Sequence, residues 1–297
     1  MSRHAYLILA HSDPYCLKTL VSLIDDKRND IFIIPDKKSD SSLYEDIKTV
    51  HSDIYILQDN KRIDVRWGSL SLVEAEIEGF RMVIEHGEYK YVHLLSGQDL
   101  PLKSQNHIHD YFNSLPPDTN LIGFAQGEFN KRDLENKTNY HHFFLNHYRH
   151  PNKLLRGGLK ILRQTALNIQ KLFNVKRKWE VKVYKGSEWV SITGAFAKHI
   201  VLREKEILNL FKGVPCADEM YKQTIIMNSD FKNTVFDIER DFGGDTRLID
   251  WERGKPYVWH DMDFSELINS YALFARKFDS KVDMRIIDRI RKQLIAN

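Results

Sequence analysis

Three short stretches bring charged side chains into positions where a folded chain can use them. In His93-Leu94-Leu95-Ser96-Gly97-Gln98-Asp99-Leu100-Pro101-Leu102-Lys103, an apolar run ends in a Ser-Gly turn that delivers Asp99 just past its end. Ligands of open α/β sheets bind beyond the carboxyl ends of strands, which makes Asp99 a substrate-binding candidate. Asp in that place also closes turns. In Cys216-Ala217-Asp218-Glu219-Met220, two adjacent carboxylates precede a helical pattern with Met220, Thr224 and Met227 toward a core. Both suit a helix start, Asp218 as the cap and Glu219 near the positive end of the dipole. Alternatively one caps and the other is free to act as a general base. The third stretch, Leu273-Phe274-Ala275-Arg276-Lys277-Phe278-Asp279, sets two cations side by side. Near a helix end they complement the dipole. They equally match a diphosphate, Lys as a point charge and Arg as a bidentate fork.

A strand–helix alternation positions these groups. Apolar runs over 5–10 and 31–34 predict buried strands, and Leu17, Leu20, Val21 and Ile24 lie between them at helical spacing. Strand, helix, strand is the βαβ unit of a parallel sheet covered by helices. The alternation continues with strands over 54–57 and 91–95, a long amphipathic helix over 71–86, and a strand and helix over 189–193 and 196–210. A final helix spans 284–295. The segment 148–185 interrupts it with eleven Lys and Arg residues against Glu180 alone, and Leu155, Leu159, Leu162, Ala166, Ile169 and Phe173 recur every three or four residues. This predicts an amphipathic basic helix apart from the catalytic residues, either a solvated cover of the core or a contact for anionic lipid. With no Pro-, Gly- or Ser-rich linker, the reading is one α/β domain over 1–297 with a basic helical insertion.

Composition narrows the classes. Lys plus Arg (44) nearly balances Asp plus Glu (41) in 297 residues, which argues against a nucleic-acid binder. No stretch approaches the roughly 20 apolar residues of a membrane span, and the run over 5–10 is too short for a signal-peptide core. Cys16 and Cys216 are the only cysteines. They cannot supply a disulfide framework, so a reducing cytosol is expected.

The three clusters, in this order, resemble the core-2/I-branching β-1,6-N-acetylglucosaminyltransferase family, which includes the peptide O-xylosyltransferases. His93 to Lys103 matches the family's strand-end motif, Gly186-Ser187-Glu188-Trp189 its Gly-Ser-x-Trp strand, and Leu273 to Asp279 its C-terminal motif. Ala217-Asp218-Glu219 stands where the family has Pro-Asp-Glu, and Ile34-Pro35-Asp36-Lys37-Lys38 where it has a strand followed by His-x-Asp-x-Lys. The resemblance spans about residues 5 to 283.

It implies a GT-A-type nucleotide-sugar fold with a mostly parallel central sheet flanked by helices. It further implies an inverting transfer that needs no metal or other cofactor. A sugar of N-acetylglucosamine or xylose type passes from a UDP-sugar to a hydroxyl of a glycan or lipid-linked glycan, forming a β-linkage. Glu219 is then the base and Lys277 the diphosphate ligand, with Arg276 and Arg253 the cations available beside it. Asp36 and Trp67 fall at the nucleotide. Asp99, Asp218 and Trp251 fall on the substrate side, Trp251 in a segment, Arg247-Leu248-Ile249-Asp250-Trp251, that resembles the family's acceptor-lining one. The chain resembles a bacterial-type soluble member, cytoplasmic, with peripheral contact at the inner membrane face as an open alternative.

Rival chemistries remain at this level. Asp261-Met262-Asp263 has the form of a metal-binding Asp-x-Asp motif, but Asp263 followed by Glu266 also has the spacing of a helix cap. His107, His109, His141, His142 and His147 match no standard zinc spacing. A glycosidase would use Asp99 and Glu219 as its two carboxylates, and a non-catalytic glycan-binding protein can share the fold.

Overall fold

Eight strands form two sheets in the computed structural model, which describes residues 3–295; residues 1, 2, 296 and 297 of the expected domain lie outside the described residues. The larger sheet contains β1 (His4–Ala10), β2 (Asn29–Pro35), β3 (Asp53–Ile56), β4 (Tyr91–Ser96) and β6 (Ser191–Thr193) in the order β3-β2-β1-β4-β6. The first four are parallel and β6 runs antiparallel to β4. This mostly parallel sheet flanked by helices is the α/β class expected. β1, β2 and β4 are buried on both faces, and their near-continuous apolar runs follow from that burial. Their register pairs Ala10 with Pro35 and Leu9 with Ser96, so the three carboxyl ends finish together.

One core packs on each face. On one side Leu17, Leu20 and Ile24 of the helix Pro14–Ile24 meet Ile108 and Phe112 of the helix Gln105–Ser114 and Ile287 and Ile290 of the helix Met284–Ile295. On the other, Val73, Ile77 and Phe80 of the helix Ser71–His86 meet Phe196 and Ile200 of the helix Gly194–Leu202 and Ile225 of the helix Tyr221–Met227.

Three expectations need correction. The stretch ending in Arg276 and Lys277 is not a helix end. It forms β8 (Phe274–Arg276), which lies antiparallel to β5 (Asp99–Pro101) and parallel to β7 (Arg247–Ile249) in a second sheet. Leu273, Phe274 and Ala275 are all buried, and three consecutive buried residues fit a strand between packed layers better than one face of a helix. The helix expected over 196–210 is two, Gly194–Leu202 and Glu204–Phe211, parted at Arg203.

The basic segment does form a helix, Lys153–Leu172, but it does not cover the core with its apolar stripe. The residues it buries are Arg163 and Gln170, while Leu155, Leu162, Ile169 and the following Phe173 are exposed.

Candidate active site

The β1, β2 and β4 ends and the second sheet converge on a cluster of cations. Asp99, buried just beyond β4, accepts a hydrogen bond from the Ser96 N–H (2.8 Å) and another from Arg276 Nη1 (2.7 Å). The two residues are register partners in the β5–β8 ladder. Burial pushes the Asp99 carboxyl above its usual range, and Arg276 opposes the shift. Asp99 thus aims Arg276, whose guanidinium lies 4.4 Å from the centre of the Trp189 ring. Each Asp99 oxygen is engaged, one by the Ser96 N–H and one by Arg276.

Lys277 is half-buried. Desolvation, then the neighbouring Arg276, and further Arg149, push its pKa down. His11, at the end of β1, is likewise lowered by desolvation and then by Arg276 and Lys277.

Arg149 is the residue that sequence reasoning missed. It comes from the basic segment, expected to lie apart from the catalytic residues, yet its guanidinium stacks 4.1 Å over the exposed Trp67 ring, which also meets Tyr148 edge-on. Among the described residues neither Arg149 nor Lys277 has a carboxylate within salt-bridge distance. Arg253 is placed differently: it is held by Asp250, Asp263 (3.0 Å) and Glu266 (2.9 Å).

A second cluster is acidic. The turn Ala217–Glu219 precedes the helix Tyr221–Met227, and Asp218 makes no capping hydrogen bond to either. It is buried instead, with Oδ1 lacking any hydrogen-bond partner among the described residues. Burial, then Glu219 and Glu76, push its carboxyl up to about 7. Glu188, in the Gly-Ser-x-Trp stretch, is raised well above the usual range by burial and then by Asp218. Nothing in its spacing marked Glu188, which occupies the variable position of that motif.

Beneath them Glu76 and Lys222 form a fully buried ion pair. Lys222 Nζ also donates to the Asp218 carbonyl (3.1 Å) and Tyr221 Oη to Glu76 (2.6 Å), which anchors the turn. The Glu219 carbonyl accepts from the Gly186 N–H (2.7 Å). A side chain at Gly186 would run into the Gly123 carbonyl, where a Cβ would lie 1.8 Å from the oxygen. Glycine is required there by this close approach.

The Glu219 side chain is 34% exposed, open to an incoming hydroxyl. Its Oε2 receives Lys137 Nζ at 3.0 Å and lies 3.8 Å from Lys185 Nζ, and both lysines also bind Asp133. Burial pulls Lys137 down, but Glu219 and Asp133 outweigh it and hold it above its usual value. The lysines fix the carboxylate in direction. Among the described residues no hydrogen bond engages Oε1.

The remaining candidates sit around these clusters. Asp36 follows β2 as expected, with both oxygens bound by Lys38. Trp251 is exposed on the loop after β7. Asp261 pairs with Arg289. Asp263 stands at the N-cap of the helix Phe264–Asn269, but its carboxylate bonds backward to the His260 N–H rather than capping forward. Cys216 donates its N–H to the Gly68 carbonyl (3.1 Å) and so ties the acidic turn to the loop bearing Trp67.

The family model of the core-2/I-branching enzymes matches residues 4–270. The β-glucuronosyltransferase GlcAT14B of Arabidopsis thaliana is 23% identical over 223 residues, covering 71% of this chain but only 45% of that protein. Among solved structures, apo mouse xyloside xylosyltransferase 1 superposes with a TM-score of 0.37 at 9% identity, covering 91% of this chain and 96% of its own. The galactosyltransferase LgtC, in complex with donor and acceptor sugar analogues, gives 0.43 at 8% identity, covering 97% and 95%.

Proposed function

The chain belongs to the core-2/I-branching enzyme family, and on that premise we propose that it is an inverting glycosyltransferase moving a sugar from a UDP-sugar to a glycan hydroxyl. The observation that carries this reading is the trio Arg149, Arg276 and Lys277 at the strand ends. Two of its members lack a carboxylate partner among the described residues, and Lys277 is pushed down by desolvation and then by Arg276 and Arg149 beside it. Such crowding is relieved by an anion of high charge, and a diphosphate fits. Trp67, under Arg149, offers the nucleotide base a stacking face.

In the step proposed, the acceptor hydroxyl gives its proton to Glu219 as its oxygen bonds to the anomeric carbon. The bond from that carbon to the diphosphate breaks on the opposite face. Its electron pair leaves with the nucleotide, where the growing charge meets the three fixed cations. The configuration inverts to a β-linkage, and the cations take the part a metal plays elsewhere. Glu188 and Asp218, each with a raised pKa, supply carboxyls suited to the hydroxyls of the donated sugar, since a protonated one both donates and accepts.

The donated sugar is of N-acetylglucosamine or xylose type, with glucuronic acid added by the plant relative's name. The acceptor is a glycan or lipid-linked glycan met near Trp251, and the setting a bacterial-type cytoplasm. Both cysteines are free, which suits that compartment.

The test is release of free UDP from a panel of these three UDP-sugars. One should be consumed, and Glu219→Gln should lower kcat by at least about 10²-fold with donor binding nearly unchanged. A panel in which none is consumed, or a Gln variant with normal turnover, overturns the assignment.

A further inference from the structure

We propose that the helix Lys153–Leu172 is a docking surface for an anionic phospholipid bilayer, lying along the lipid–water boundary. This stands on the helix itself and is independent of the transferase reading. The helix is built inside out relative to a core-covering one. It is attached to the body through polar side chains: Arg163 reaches the Phe144 carbonyl (3.3 Å) and stacks 4.4 Å over the Tyr148 ring, and Gln170 bonds both the N–H and the carbonyl of His141. Leu159 and Leu167 on that inner side are partly buried, but the other large apolar side chains point outward. Leu154 is 88% exposed, Ile161 68%, Leu172 79% and the adjoining Phe173 70%, with Leu162 and Ile169 more than half exposed.

At 3.6 residues per turn these residues lie on one side of the helix, and Lys153, Arg156, Lys160 and Lys171 lie on the other. An apolar face backed by long cationic side chains inserts shallowly while the ammonium groups reach the headgroups. No helix of the described residues is long and apolar enough to cross a membrane, so the surface is one that lies on the bilayer.

Charge complementarity chooses the occupant. From Glu135 to Glu180 the chain contains no acidic residue between those two ends. A second copy seated on this face would set like charges against each other, whereas a surface of anionic lipid attracts every one of them. The position is also informative: Arg149, over Trp67, is three residues before the helix-capping Asn152. A bilayer holding the helix therefore lies close to the cation cluster.

Vesicle sedimentation of the full chain tests the proposal. Binding to vesicles containing phosphatidylglycerol should exceed binding to pure phosphatidylcholine at least tenfold and fall with added salt. Ile161→Ser with Leu162→Ser, both at exposed positions, should lower it about tenfold or more. Lys153→Gln and Lys160→Gln should lower it by about fivefold each. Thermal melts of these variants should match the parent. Equal binding to both vesicle types, binding to neither, or binding unchanged by the Ser pair overturns the proposal. A lipid-independent dimer dissolved by the Ser pair also overturns it, in favour of self-association.

Discussion

Asp99 and Arg276, 177 residues apart in the chain, meet as rung partners of one short ladder with their charged groups 2.7 Å apart. A buried carboxylate thereby sets the direction of a cation in the phosphate cluster. Asp99→Asn keeps the shape but removes the charge. The donor KM should rise about tenfold, and stability should fall by about 1–3 kcal/mol as the guanidinium loses its ionic partner. Initial rates and urea denaturation read the two effects. An unchanged donor KM would show that Arg276 is aimed by other contacts.

The three cations are expected to differ from Arg253. Lys277→Ala should raise the donor KM and lower kcat, because charge on the leaving group peaks in the transition state. Arg149→Ala should raise the donor KM roughly tenfold. Arg253→Ala should leave donor kinetics alone and cost stability, since its guanidinium links Asp250, Asp263 and Glu266. If Arg253→Ala raised the donor KM and Arg149→Ala did not, the two assignments would change places.

Asp218 makes stability depend on pH in a readable direction. Its carboxyl is raised from 3.8 to about 7 in the folded chain. The folded state therefore holds a proton that the unfolded chain releases, so this contribution is fully present below pH 3.8 and is lost as pH rises through about 7. Asp218→Asn removes the charge. The variant should be more stable than the parent at pH 8 by about 1–3 kcal/mol, and equal to it near pH 4. Chemical denaturation at both pH values decides; the same difference at each would refute the account.

Transfer should persist in EDTA if the cations alone stabilise the departing diphosphate. Nucleotide release before and after exhaustive chelation measures this. Loss of activity restored by Mn²⁺ or Mg²⁺ would require a metal, and would oblige Asp261 or Asp263 to leave its arginine.

The parts of the fold that could be read from the sequence are those that repeat a local pattern. β1, β2 and β4 are near-continuous apolar runs because they are buried on both faces, and the helix Ser71–His86 has its expected bounds. β5, β7 and β8, three residues each, are too short to have a period and exist only through pairing across the chain. The acidic turn was visible as adjacent carboxylates. That Asp218 is buried and unpartnered on Oδ1, while Glu219 is held by two lysines, depends on Glu76, Lys137, Lys185 and Lys222, which have no fixed spacing from them. Arg149 was one of eleven positive residues in its segment, and only the folded path brings it over Trp67.

The late position of β8 gives protein synthesis a say in when this site exists. All five strands of the larger sheet, and β5 itself, have been made by residue 193. Arg276 and Lys277 leave the ribosome some eighty residues later. A nascent chain can therefore assemble its principal sheet while it still lacks two of the three cations proposed for the diphosphate, and it would idle beside a pool of donor sugar. A chain cut before β8 would also lose the helix Met284–Ile295, whose Ile287 and Ile290 pack over Leu17, Leu20 and Ile24, so the same break that removes two cations uncovers apolar core for quality control to find.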